Sequence, residues 1–255
     1  MRLIAVTFFV LTAVASGPAG DHLRIHGNSL FLQSDAAGER PILTDPEGIG
    51  AVSASPEGGL LAYTRPFRGS EKPSAVVVVR RDGSVVRMIR ITADLGINAV
   101  LQLGWLDAHR VWLEGHGTPS SGIFYVWDVR TGERVDERWG SWFAPSPDGR
   151  VIAQVEHIPH GAPLSPNIVI DGKPIYAAEG ASTHIAHLVW SSDGAALAFV
   201  ECDSKGAESV VAIRPTGEVL KRVAAAGRVS ELTWRDADTL KINEGGKSRE
   251  VRLSR

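Results

Sequence analysis

One short phrase recurs along this chain and constrains everything else about it. Ser55-Pro-Glu-Gly58 precedes Leu60-Leu-Ala-Tyr63, Ser146-Pro-Asp-Gly149 precedes Val151-Ile-Ala-Gln154, and Ser192-Asp-Gly194 precedes Ala196-Leu-Ala-Phe199. Two looser copies fill the gaps, Trp105-Leu-Asp-Ala108 before Val111-Trp-Leu113 and Trp234-Arg-Asp-Ala237 before Leu240-Lys-Ile242. Anchored on Ala54, Trp105, Pro145, Trp190 and Trp234, the copies lie about 45 residues apart, the length of one supersecondary unit that must stack on its neighbours to bury its apolar faces.

Within a unit the pattern is four strands. In the third copy Trp142-Phe143-Ala144 leads into the turn, and Val151–Val155, Ile168–Ile170 and Pro174–Ala177 follow. Asp171-Gly172 stands between the last two apolar runs, a hairpin signal because both residues tolerate positive φ. The first unit repeats the plan with Val76–Val79, Arg81-Asp-Gly83 and Val85–Ile91, and the fourth with Val210–Ile213, Pro215-Thr-Gly217 and Val219–Val223. Several of these runs are continuously apolar, as strands covered on both faces are. The pattern predicts an all-β fold with almost no helix, a β-propeller of four-stranded blades. Ser29–Gln33 and Pro41–Leu43 read as a third and fourth strand without a first and second. Glu231–Trp234, Leu240–Asn243 and Glu250–Leu253 read as a first, second and third. The N-terminal strands are therefore expected to complete the last blade and close the ring, giving five blades, or six if the two ends form separate incomplete sheets.

Arg2 precedes an apolar run from Leu3 to Val14, and Ala13-Val14-Ala15 has the small-x-small form of a cleavage site. Residues 1–20 read as a secretory signal with cleavage between Ala15 and Gly20, leaving 21–255 as a single propeller domain. The apolar run is far short of the roughly 20 residues that a spanning helix needs. Cys202 is the only cysteine, so an internal disulfide is excluded, and it reads as a small buried filler. A periplasmic or secreted protein held together by core burial fits this set. A formal net charge of -2, with scattered basic residues, argues against nucleic acid as a partner.

The Ser-Pro-Asp-Gly phrase before an apolar strand resembles the WD-like repeat of TolB-type β-propellers, and occurs also in the propellers of prolyl-oligopeptidase-like enzymes. Phe124-Tyr-Val-Trp-Asp-Val-Arg-Thr-Gly-Glu133 resembles the strand-turn segment of WD-repeat proteins, with its Trp127-Asp128 pair. TolB carries an α/β domain before its propeller, and the peptidases carry a hydrolase domain with a Gly-x-Ser-x-Gly elbow. Neither is evident here. What the resemblance implies is interaction and scaffolding in the cell envelope, with no site residue to carry over.

In a propeller, the second-to-third and fourth-to-first connections open on one face. His116, His157 and His160, with His184, are placed there, as is the loop from Pro66 to Ser74 containing Phe67. Trp139 and Trp142 break the repeat and read as part of a connection, where an aromatic ring is free to make contacts. Trp105, Trp190 and Trp234 sit at equivalent places and read as fillers between blades. Carboxylates recur at the ends of second strands, Glu114, Glu156, Glu201 and Glu244. From these, Glu156, His157, His184 and Glu201 are the residues that could hold a divalent cation. The leading expectation is a non-enzymatic module, needing no cofactor, that binds another envelope protein. The alternative is a metal-dependent hydrolase or lyase at the mouth of the channel, and a small-molecule propeller using Trp139 and Trp142 is a third.

Overall fold

The computed structural model describes residues 21–34, 38–67, 73–118, 121–156, 166–178 and 182–253. The expected signal segment and both His157 and His160 lie outside them. The described chain is built from antiparallel strands, and its one helical element is a single 3-10 turn at Ala93–Leu95. Strands β1 (Asp21–His26), β2 (Ser29–Ser34) and β3 (Gly38–Thr44) form a three-stranded meander. Strands β4 (Val52–Ala54), β5 (Leu60–Pro66), β6 (Pro73–Arg80) and β7 (Val85–Arg90) form a four-stranded one. Seven strands follow in consecutive order in one sheet: β8 (Ala99–Trp105), β9 (Arg110–Thr118), β10 (Ser121–Asp128), β11 (Arg134–Pro145), β12 (Ile152–Glu156), β13 (Asn167–Ile170) and β14 (Lys173–Ala177). Strands β15 (Ser182–Trp190), β16 (Leu197–Asp203), β17 (Glu208–Ile213) and β18 (Val219–Ala224) make a further four-stranded sheet. The last sheet is β19 (Val229–Trp234), β20 (Thr239–Glu244) and β21 (Lys247–Arg252).

The repeated phrase closes the turn between first and second strands. The side-chain oxygens of Ser55, Ser146 and Ser191 accept the N–H groups of Leu60, Val151 and Ala196 at 3.1, 3.1 and 2.9 Å. In two of the turns the serine hydroxyl also donates to an aspartate, Ser146 to Asp148 at 2.6 Å and Ser191 to Asp193 at 2.7 Å. Asp171 (φ 47°) and Gly172 (φ 78°) make the expected two-residue turn between paired Ile170 and Lys173. The turns ending at Gly83 and Gly217 differ: only the glycine takes a positive φ, and an adjacent register shift absorbs the extra residue.

The ends depart from expectation. β1 was not foreseen as a strand; it turns back through Gly27 (φ 59°) and pairs with β2 from Asp21↔Ser34 to His26↔Ser29. β2 and β3 are thereby the second and third strands of their own sheet, and β19–β21 pair only among themselves. Among the described residues the N-terminal strands are hydrogen-bonded in a sheet of their own, and the expected closure through the last sheet is not confirmed.

The chain divides into two compact units. One runs to Leu113 and includes Trp127–Glu133; the other holds Glu114–Val126 and residues from Arg134 onward. In the first, Leu30, Leu32 and Ile42 from the N-terminal meander pack on Leu61, Tyr63, Val77 and Val79. In the second, two layers form. Ala153, Val155, Ile168 and Tyr176 pack on Ile185, Leu197, Phe199 and Val211. The other face of that sheet, with Ala198, Val200, Val210 and Ala212, meets Leu232, Leu240 and Ile242. Adjacent side chains of one strand thus enter different layers, which is why these runs are continuously apolar.

Candidate functional site

The second-to-third and fourth-to-first ends of the sheets carry the sequence candidates, but more of them lie within strands than expected. Phe67 follows β5 directly and is 62% exposed. Leu101, near the start of β8, is 47% exposed and was not singled out from sequence, where a lone leucine in a strand carries no signal. Trp139 is also 47% exposed. It lies inside β11, not in a connection, because β11 runs without a break from Arg134 to Pro145. The Trp139 indole N–H donates to Glu137 at 3.2 Å, and its carbonyl accepts the Gln154 side-chain amide at 2.8 Å.

Trp142 is in β11 as well, half-buried, at a bulge between Ser141 and Ala144 with φ 54°. His187 occupies the same place in β15, at a bulge between Ala186 and Val189 with φ 57°. Both stand three residues before their repeat anchors, Pro145 and Trp190, and their rings meet at 4.8 Å between centroids. A left-handed φ costs a non-glycine residue on the order of 1 kcal/mol, and the ring contact and burial against the core below offset it. Burial holds the His187 imidazole below its ordinary pKa; the Glu208 charge opposes this, and His184 and Arg228 add to it. Burial lowers His184 too, again with Glu208 opposing. His116 lies within β9, half-buried.

The carboxylates do not assemble into a ring of ligands. Glu156, exposed at the end of β12, accepts the Asn167 amide at 2.9 Å. Glu201 is buried, and its Oε2 accepts from Tyr176 O–H at 2.7 Å and Arg222 Nη1 at 2.8 Å, while Arg222 Nη2 donates to the Tyr176 oxygen at 2.7 Å. Glu244, also buried, meets Arg249 Nε at 2.5 Å and the Ala226 N–H at 2.9 Å. Among the described residues no three His, Cys, Asp or Glu side chains come together as a metal-binding group. His157 lies outside the described residues, so of the four cation candidates Glu156, His184 and Glu201 are placed, each with separate neighbours.

A second Tyr–carboxylate–Arg set was invisible in the sequence. Tyr63 O–H donates to Asp45 Oδ2 at 2.7 Å, and Arg65 holds the same oxygen through Nη2 at 2.7 Å and Nε at 2.9 Å. Burial raises the Asp45 pKa, but the hydrogen bonds from Tyr63, Arg65 and the Glu47 N–H outweigh it and leave the carboxyl below its usual value. Burial and the Asp45 charge push Tyr63 up to about 12. Each set ties a buried carboxylate to a tyrosine and an arginine. Cys202 is half-buried, its thiol pKa raised by burial and by the charges of Glu208 and Asp203. Asp128 of the Trp-Asp pair accepts the Arg130 N–H at 2.8 Å and its guanidinium at 2.7 Å, a turn-holding role.

The described residues contain no helix long and apolar enough to cross a membrane. No family model matches the sequence, and no curated protein matches it. Solved structures do. A protein of a mitotic checkpoint complex superposes with a TM-score of 0.63 at 15% identity, over 88% of this chain and 67% of that one. The hydrazine synthase of Kuenenia stuttgartiensis gives 0.58 at 14% identity, over 89% and 71%. TolB from Acinetobacter baumannii gives 0.52 at 16% identity, over 89% of this chain and 59% of that one. At these identities the likeness is one of fold. Together with the recurring four-strand unit and its serine-closed turn, it supports a β-propeller fold like that of TolB and the WD-repeat proteins.

Proposed function

We propose that the chain is an exported, non-enzymatic propeller that binds another protein of the cell envelope through the second-to-third and fourth-to-first ends of its sheets. The exposure of Phe67, Leu101 and Trp139 at those ends carries the proposal. Large apolar and aromatic side chains left in water are the anchors from which protein interfaces draw most of their energy. The propeller framework supplies a rigid support for them, and Arg2 with the apolar run Leu3–Val14 supports export to the periplasm. The separate three-stranded sheets at the two ends of the chain favour six blades over five.

The test is retention of a partner from envelope extract by the immobilised full chain and by its variants. Phe67→Ala and Trp139→Ala should each lower recovery of one protein at least threefold. Val219→Ala, at the opposite end of its sheet, should leave it unchanged. Equal recovery by all three variants contradicts the proposal. The hydrolase alternative gains no support from Glu201, whose Oε2 accepts from both Tyr176 and Arg222.

A further inference from the structure

The buried carboxylates Asp45, Glu201 and Glu244 each face an arginine: Arg65, Arg222 and Arg249. Glu114, equally buried at 4% exposure, differs from them. Its hydrogen-bond donors are the backbone N–H groups of Phe143 and Trp142, at the bulge where Trp142 takes its left-handed φ and lies against the His187 ring. An ionised carboxylate at such depth without a cation is strongly disfavoured. An uncharged carboxyl accepts N–H bonds only weakly, and ionisation shortens and strengthens them.

We propose that the proton on Glu114 sets the geometry of the β11 bulge and, through it, of the Trp142–His187 ring pair. With the proton present the bulge N–H groups are loosely held. When the proton leaves to solvent, the carboxylate draws both N–H groups in and re-seats Trp142. Desolvation raises the Glu114 pKa to about 8, with the Phe143 and Trp142 bonds opposing, so the step falls on the alkaline side of neutrality.

Among the described residues, the surroundings supply no competing charge. On β9 the nearest titratable residue is His116, two positions along. On β10 the facing residue is Gly122, where an added Cβ would stand 3.5 Å from Glu114 Oε1. On β11 Glu137 is bound by Trp139 and Arg134, and Arg138 by Asp136 and Asp171. On β12 Gln154 is neutral and Glu156 is exposed. Beyond the bulge, His187 feels Glu208, His184 and Arg228, and its pKa is lowered, so its own titration falls on the acid side.

The test is an NMR titration of the full chain from about pH 5 to pH 10, with carboxyl-13C glutamate and 15N labels. The Glu114 carboxyl carbon should titrate near pH 8, and the Trp142 and Phe143 amide resonances should shift with the same midpoint. Glu114→Gln should abolish that shared step. A Glu114 carboxyl titrating in the ordinary glutamate range overturns the proposal, as do bulge amides that stay flat through the step. Should Glu114→Gln fail to fold, the coincidence of midpoints in the unaltered chain decides alone.

Discussion

The indole N–H of Trp190 donates to the carbonyl oxygen of Ala144 at 2.7 Å, across 46 residues of sequence. Trp234 donates to Val189 at 3.1 Å, and Trp105 to Ser53 at 3.3 Å. In each case the acceptor is the residue just before the anchor of the preceding repeat. The tryptophan period is therefore a record of how one first strand is tied to the next. A ligand platform would leave these indoles unengaged; here all three are structural.

Replacing Trp190 by Phe keeps most of the apolar contact and removes the donor. The Ala144 carbonyl would lose its partner, a loss of about 1–2 kcal/mol. Urea unfolding should show the lower midpoint with an unchanged slope.

Gly217 and Gly172 separate two reasons for a turn glycine. Both take positive φ, at 91° and 78°. A Cβ on Gly217 would collide with the Ile175 carbonyl oxygen, whereas nothing lies within 4 Å of one on Gly172. Gly172→Ala should lose about 1 kcal/mol from conformation alone. Gly217→Ala should lose several kcal/mol, on the order of 3, because backbone must shift. Thermal melts of the two variants check the order.

Arg222 holds Glu201 at 2.8 Å, with Glu201 only 3% exposed. Arg222→Met takes the guanidinium from a buried carboxylate, and should destabilise the fold by about 3–5 kcal/mol at neutral pH. Adding Glu201→Gln to that variant should recover a large part of the loss. Denaturant midpoints of the single and double variants give the comparison.

The fold was legible because its signals are local. The serine-closed turns, the Asp171-Gly172 hairpin and the doubly buried runs at Val76–Val79 and Val210–Ile213 each fit within a few residues. What was missed depends on residues far apart. Glu201 meets Tyr176 and Arg222 at separations of 25 and 21 positions, and no spacing rule announces such a set. The bulges at Trp142 and His187 were equally hidden, since a positive φ at a non-glycine residue is uncommon and leaves no sequence signal. That hid the continuity of β11 and put Trp139 and Trp142 in a connection. β1 escaped notice because Asp21–His26 is short and polar beside the apolar leader.

Glu114 also predicts how stability varies with pH. Its folded pKa, about 8, lies above the value for an exposed glutamate. Between the two, the folded chain holds a proton that the unfolded chain has lost. Stability conferred by the protonated carboxyl is therefore full below pH 4 and declines as pH rises. The slope is at most about 1.4 kcal/mol per pH unit, and it levels off above pH 8. Glu114→Gln should flatten this decline, measured by chemical unfolding at about pH 5, 7 and 9.

The most direct test of the proposed function is site-specific photocrosslinking in the envelope. A benzophenone amino acid would be placed in turn at Phe67, Leu101, Trp139, Val85 and Val219. The proposed function predicts one discrete protein adduct from the first three positions and none from Val85 or Val219, which sit beside the turns at the other end of their sheets. Adducts confined to Val85 and Val219, or the same pattern at all five positions, would contradict it.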